Sequence, residues 1–167
     1  LAEVFEAAAR LREERSDVRI AVVGPLDPDK SDGLGPDDLA RIAAETGITF
    51  AGERRDIEAV YAALDVYLLA SHREGWPRSA MEAAAMGVPV IATDIRGCRQ
   101  VVDHEASGLL FPVRDAAALH DAVARLVDDG ALRSRLAEGA RARAVAEFDQ
   151  RRQIDVTLAA YERLLSR

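Results

Sequence analysis

The stretch 66–94 constrains the fold more than any other part of the chain, because it reads as strand, polar loop, helix and strand in immediate succession. Residues 66–70 are a short apolar run of the kind a parallel sheet buries on both faces. A polar loop over 71–76 follows. Pro77 suits the first helical position, where a missing N–H leaves nothing unpaired, and Gly87 suits the position just past the helix end. The helix is therefore predicted over 77–86, and a second apolar strand over 88–93 closes a right-handed strand-helix-strand unit.

The chemistry of this unit is concentrated where the helix starts. The first backbone N–H groups of a helix have no partner within it, and the aligned peptide dipoles leave partial positive charge there, so an anion is the natural occupant. Gly75 lets backbone approach a ligand closely, and Arg78 can add a charge-assisted contact to phosphate. Glu74 lies in the loop at the same mouth. Glu82, eight residues on, falls about one turn inside the helix, where it can face the same crevice at the carboxyl end of the strand. Two carboxylates beside a phosphate repel it unless they address another part of the ligand, and sugar hydroxyls are the obvious candidates.

Outside this unit the chain continues the alternation. Helices are predicted over 1–15, 37–46 (stopped by Gly47), 57–64 (capped by Asp56), 99–102, 116–128 (capped by Asp115) and 131–165, the last broken near Phe148 and Asp149. Strands are predicted over 18–23, 48–50 and 109–111, and a turn-rich polar loop over 24–36. Strands and helices alternating at this spacing predict an α/β fold, a Rossmann-like parallel sheet with helices on both faces. The 167 residues suffice for one conventionally buried domain, predicted over 1–167.

Composition removes several function classes. The net charge of −7, with acids scattered throughout, disfavours nucleic acid, so any anionic ligand must be held locally. One cysteine forms no internal disulfide, and three separated histidines make no metal-ligand spacing, so a reducing compartment and a metal-free site are expected. No run approaches the roughly 20 apolar residues of a membrane span, which makes a cytoplasmic domain the expectation.

The spaced pattern Glu74-Gly75-x-Pro77-x4-Glu82-Ala83-x-Ala85-x-Gly87-x-Pro89-Val90 resembles the E-x7-E donor-site motif of family 4 retaining glycosyltransferases. The likeness extends through Val23-Gly24, Phe50-Ala51-Gly52 and Gly108-Leu109-Leu110-Phe111-Pro112. Arg73 to Ser79 and Ile95 to Arg99 look most like bacterial polysaccharide-assembling members. The resemblance implies the two-domain GT-B architecture and matches only its carboxy-terminal half, which binds a nucleoside diphosphate sugar, UDP-sugar favoured, with no cofactor. Family members open this domain with a strand and an Arg and Lys that hold the diphosphate. Here Leu1 already lies in the helix that would follow, so that strand is expected to be missing, leaving 18–23 and 66–70 to pair directly or with a partner.

By the same resemblance Glu82 binds the nucleotide ribose, Glu74 contacts the donor sugar and stabilises charge at the reacting carbon, and the amides of Gly75, Trp76, Pro77 and Arg78 meet sugar and diphosphate. Gly24 lines the crevice, and Arg54 or Arg55 stacks on the base or reaches a phosphate. Plainer readings stand beside these: a tight turn and helix cap at 75–78, a turn at Gly24 and Pro25, a surface charge run at 53–55. His72 reads as a polar loop residue, and Cys98 as a small buried hydrophobe. The leading function is the donor-binding domain of a glycosyltransferase that moves a hexose to a glycan or lipid-linked acceptor. Its partner is an amino-terminal acceptor domain, toward which the helix over 149–167 reaches, and the whole enzyme is peripheral to the membrane. The alternatives are a stand-alone nucleotide-sugar-binding module and half of another GT-B-like enzyme, an epimerase or phosphorylase.

Overall fold

A computed structural model describes residues 1–25 and 34–166. In chain order they form α1 (Ala2–Glu14), β1 (Ala21–Val23), α2 (Pro36–Thr46), β2 (Thr49–Gly52), α3 (Ile57–Ala62), β3 (Tyr67–Leu69), α4 (Arg78–Ala85), β4 (Val90–Thr93), α5 (Arg96–Arg99), β5 (Gly108–Phe111), α6 (Ala116–Asp128), α7 (Gly130–Glu147) and α8 (Gln150–Leu165). Most of the loop expected over 24–36 lies outside the described residues.

Every strand pairing is parallel, but the strands form two sheets, β1-β2 and β3-β4-β5. β1 and β3 are not paired with each other, so of the two outcomes expected for 18–23 and 66–70, direct pairing does not occur. Between their flanks lies a cavity of about 460 Å³ lined by Val18, Ile20, Val66, Leu68, Val123 and Leu126 among others. β3 is thus an edge strand, and its three residues are half-buried, against the full burial expected for 66–70. The central strand β4 is buried at all four positions.

The core has two layers around β4. On one face Ile91 and Leu109 pack with α1 (Val4, Ala8, Leu11), α6 (Leu119, Val123, Leu126) and Leu136 of α7. On the other, Val90 and Ala92 pack with Ala80 and Ala83 of α4, Tyr61 of α3, and Cys98, Val101 and Val102. The alanine-rich composition of α4 follows from this position: Ala80, Ala83 and Ala84 are buried, and small side chains let the helix sit close to the sheet.

Several predicted boundaries move by up to three residues. β2 runs past Phe50 to Gly52, and β1 begins only at Ala21, although the Ile20 carbonyl already accepts from the Thr49 N–H of β2 at 3.0 Å. The short helix expected over 99–102 is α5 at Arg96–Arg99, three residues upstream. Asp115 caps α6 as expected by accepting from the Ala118 N–H at 2.8 Å. Asp56 does not cap α3 through its side chain, which is engaged by Arg54 instead.

Candidate functional site

The loop 70–77 leaves the carboxyl end of β3 and is pinned at its start. The Ser71 N–H donates to Thr93 Oγ1 at 3.0 Å, and that buried hydroxyl donates to the Leu69 carbonyl at 3.3 Å. One residue on, His72 Nε2 lies 2.5 Å from Glu3 Oε1 at the start of α1, which holds the Glu3 carboxyl below the usual carboxylate range. His72 is therefore a tether for the loop, consistent with a polar structural role. Pro77 is the buried N-cap of α4, one position earlier than expected, with φ −72° and ψ 96°; the helix opens at Arg78. Gly87 turns the chain out of α4 with a left-handed φ of 74°, as its place in the sequence required.

Glu74 is half-buried in this loop, with its backbone against Gly97 of α5. Glu82 lies in the second turn of α4, where its Oε2 accepts a hydrogen bond of 2.9 Å from the Tyr61 hydroxyl of α3. Tyr61 is buried, which together with the Glu82 contact raises its phenol above the ordinary tyrosine range and keeps it a donor at neutral pH. Tyr67 is the first residue of β3. Its phenol is raised first by burial, against the Ser79 hydroxyl, and then by the negative charges of both Glu74 and Glu82. The ring packs on Tyr61 with centroids 6.0 Å apart. Glu74 thus lies against α5 and Glu82 against α3, and the charges of both reach Tyr67 at the start of β3.

Arg78 and Glu82 also line a cavity of about 650 Å³ with Met81 and Ala85 of α4 and residues of α7 and α8, including Arg141 and Phe148. Glu74 is not among its lining residues. Gly75 is exposed, and half-exposed Trp76 meets Phe148 edge to face at 6.3 Å. The expected residues of the other sheet are placed differently. Gly24 ends β1 with φ 152° and donates its N–H to the Gly52 carbonyl at 2.9 Å. Arg54 is exposed and holds Asp56 through two contacts of 2.6 and 2.8 Å, so its charge is already engaged; Arg55 lies at the surface beside it. Cys98 is buried beneath Glu74, and burial, with smaller contributions from Glu74 and Asp94, pushes its thiol up to about 11, which removes the thiolate needed for nucleophilic chemistry at neutral pH.

Comparison with known proteins now decides the family. The profile described as glycosyl transferases group 1 matches residues 1–143. The chain belongs to that family. It is 37% identical over 133 residues to a D-inositol 3-phosphate glycosyltransferase of Saccharomonospora viridis, a match that covers 80% of this chain and 29% of the relative. The fold is that of GT-B glycosyltransferases. Sucrose-phosphate synthase of Thermosynechococcus elongatus superposes with a TM-score of 0.85 at 28% identity, over 98% of this chain and 43% of that one. HepE of Anabaena, solved with UDP-glucose, superposes with a TM-score of 0.83 at 25% identity, over 95% and 44% respectively. The chain therefore spans less than half the length of these relatives.

Sequence reasoning singled out the acids of this group 1 domain but missed the residues that hold them. Tyr61 and Tyr67 carry no local signal, since only the fold brings Tyr61 to a partner 21 positions away.

Proposed function

We propose that this chain is the donor-binding part of a family 4 retaining glycosyltransferase, a cytoplasmic enzyme that transfers a hexose from a UDP-sugar to a glycan or lipid-linked acceptor. The observation that carries this reading is the placement of Glu74 in the loop that leads into α4 and of Glu82 in the second turn of that helix, where the Tyr61 hydroxyl holds it. Glu82, held by Tyr61, accepts hydrogen bonds from the ribose hydroxyls. Glu74 addresses the donor sugar and stabilises positive charge developing at its anomeric carbon. The diphosphate departs as an anion, so the start of α4, the Gly75 and Trp76 backbone and Arg78 supply the main electrostatic term. Arg54 or Arg55 meets the base, which for Arg54 requires release from Asp56. No metal or cofactor enters the scheme.

The acceptor site lies on a separate amino-terminal domain. α8 supports this part of the reading: it buries none of its described side chains and exposes Ile154, Leu158, Tyr161 and Leu165. A stand-alone binding module, which needs no apolar docking surface, is disfavoured by the same residues.

Calorimetric titration of UDP, GDP, ADP and their sugars tests the assignment. UDP is expected to bind best, and Glu82→Ala to weaken it by about tenfold, since a hydrogen bond to a charged group contributes about 1.5–3 kcal/mol. Undiminished binding by Glu82→Ala would remove the ribose role, and absence of any nucleotide binding would overturn the whole reading.

A further inference from the structure

Gly97 is buried in the short helix α5. Its φ is not positive, so its backbone does not demand glycine, and alanine is the better helix former at such a position. What excludes a larger residue is contact. A Cβ at this position would lie 2.8 Å from the carbonyl carbon of Glu74 and 2.9 Å from its Cβ, with the carbonyl oxygen nearer still. These separations fall well inside the roughly 3.5–4.0 Å optimum for carbon contacts. The obstructing atoms are backbone, so no rotamer change relieves the overlap; the loop itself has to move.

We propose that Gly97 is a positioning residue for Glu74: its missing side chain lets the loop 71–76 settle on α5 and so sets where the Glu74 carboxylate stands over the site. The inference rests on the reading of Glu74 as the group that addresses the donor sugar. Anchors on both sides make the loop responsive to this contact. It is anchored on its upstream side by Thr93 and by Glu3, and on its downstream side by buried Pro77, so displacement at residue 74 cannot be spread along the chain and falls on the carboxylate. Glu82 is held separately by Tyr61 on α3 and is not carried along. A shift at residue 74 therefore damages recognition of the sugar and spares recognition of the nucleotide.

The readout is the ratio of UDP-glucose to UDP affinity, measured by calorimetry on the wild-type chain, Glu74→Ala, Gly97→Ala, the double variant and Gly139→Ala. Gly139 is an equally crowded control: a Cβ there would sit 3.0 Å from the Ala106 carbonyl carbon, between α7 and the turn before β5. Glu74→Ala is expected to lower the ratio by about tenfold, the loss of one hydrogen bond to a charged group. Gly97→Ala is expected to lower it comparably with UDP binding intact and to add nothing in the Glu74→Ala background, while Gly139→Ala keeps the wild-type ratio. A wild-type ratio in Gly97→Ala beside a lowered one in Glu74→Ala would overturn the inference and leave the function standing. An unchanged ratio in Glu74→Ala would overturn both. Loss of folding in Gly97→Ala, seen by circular dichroism, would also overturn the inference, because it would assign the glycine to the core instead of the loop.

Discussion

The two sheets of this domain are built from similar apolar segments and differ in what flanks them. β4 lies between β3 and β5, with helices on both faces, and every one of its residues is buried. β1 has β2 on one side only; Val22 and Val23 are half-buried and Ala21 is exposed. The functional consequence follows. Glu74 and Glu82 hang from the buried sheet, the first from a loop tied to Thr93 and the second from a helix packed on Val90 and Ala92. Gly24, Arg54 and Arg55 belong to the smaller sheet, and Arg54 spends its charge on a local carboxylate at the surface. The sugar and ribose side of the proposed site is thus preorganised, while the base side has to rearrange to engage a ligand.

The contrast is broken or sharpened most strongly by comparing Ile91→Ala with Val22→Ala. Removing the fully buried Ile91 side chain should cost about 2–5 kcal/mol, whereas trimming half-buried Val22 should cost about 1 kcal/mol. Chemical denaturation measures both, and equal losses would show that the sheets are equally supported.

Tyr61→Phe comes next. It keeps the ring in the core and removes only the hydroxyl that holds Glu82, so UDP affinity should drop by up to about tenfold with little change in melting temperature. A large loss of stability with unaltered affinity would make Tyr61 a core residue and nothing more.

A smaller effect tests the joint between the sheets, where α1 packs along α6. Buried His120 of α6 contacts Asp121 Oδ1 at 3.0 Å and Glu14 Oε2 of α1 at 2.9 Å, with Arg10 opposing, and its imidazole is raised above the usual histidine range, chiefly by Asp121. A raised folded pKa favours the folded state most below the unfolded value of about 6.5, and the advantage fades as pH rises through the folded value. Melting curves of wild type and His120→Gln should therefore converge as the solution is made alkaline; divergence would refute the assignment.

The smallest change is expected from Arg54→Ala, which removes an exposed ion pair. Melting temperature should be unmoved, and a measurable drop would mean that the second sheet depends on its surface charges.

The strand-loop-helix-strand unit was legible because its signals are local: an apolar run, Pro77 at a helix start, Gly87 in a left-handed turn, Asp115 as a cap. Glu74 and Glu82 could be nominated in the same way, since their spacing along one loop and helix is a property of sequence alone. The helix expected over 99–102 lies three residues earlier, and Val101 and Val102 are buried in the layer shared with Val90, Ala92 and α4. The full burial expected of 66–70 failed for a related reason, that burial depends on what lies beside a strand.

Sequence by itself determined the alternation of elements, the parallel pairing and the candidates for chemistry, because dihedral preference, hydrophobic period and capping act over a few residues. Only the tertiary structure decided that the strands divide into two sheets, that Tyr61 holds Glu82, and that Gly97 meets Glu74. Those contacts join residues 21 and 23 positions apart or separate strand edges, and no local preference reports which surfaces meet when a chain closes around a core.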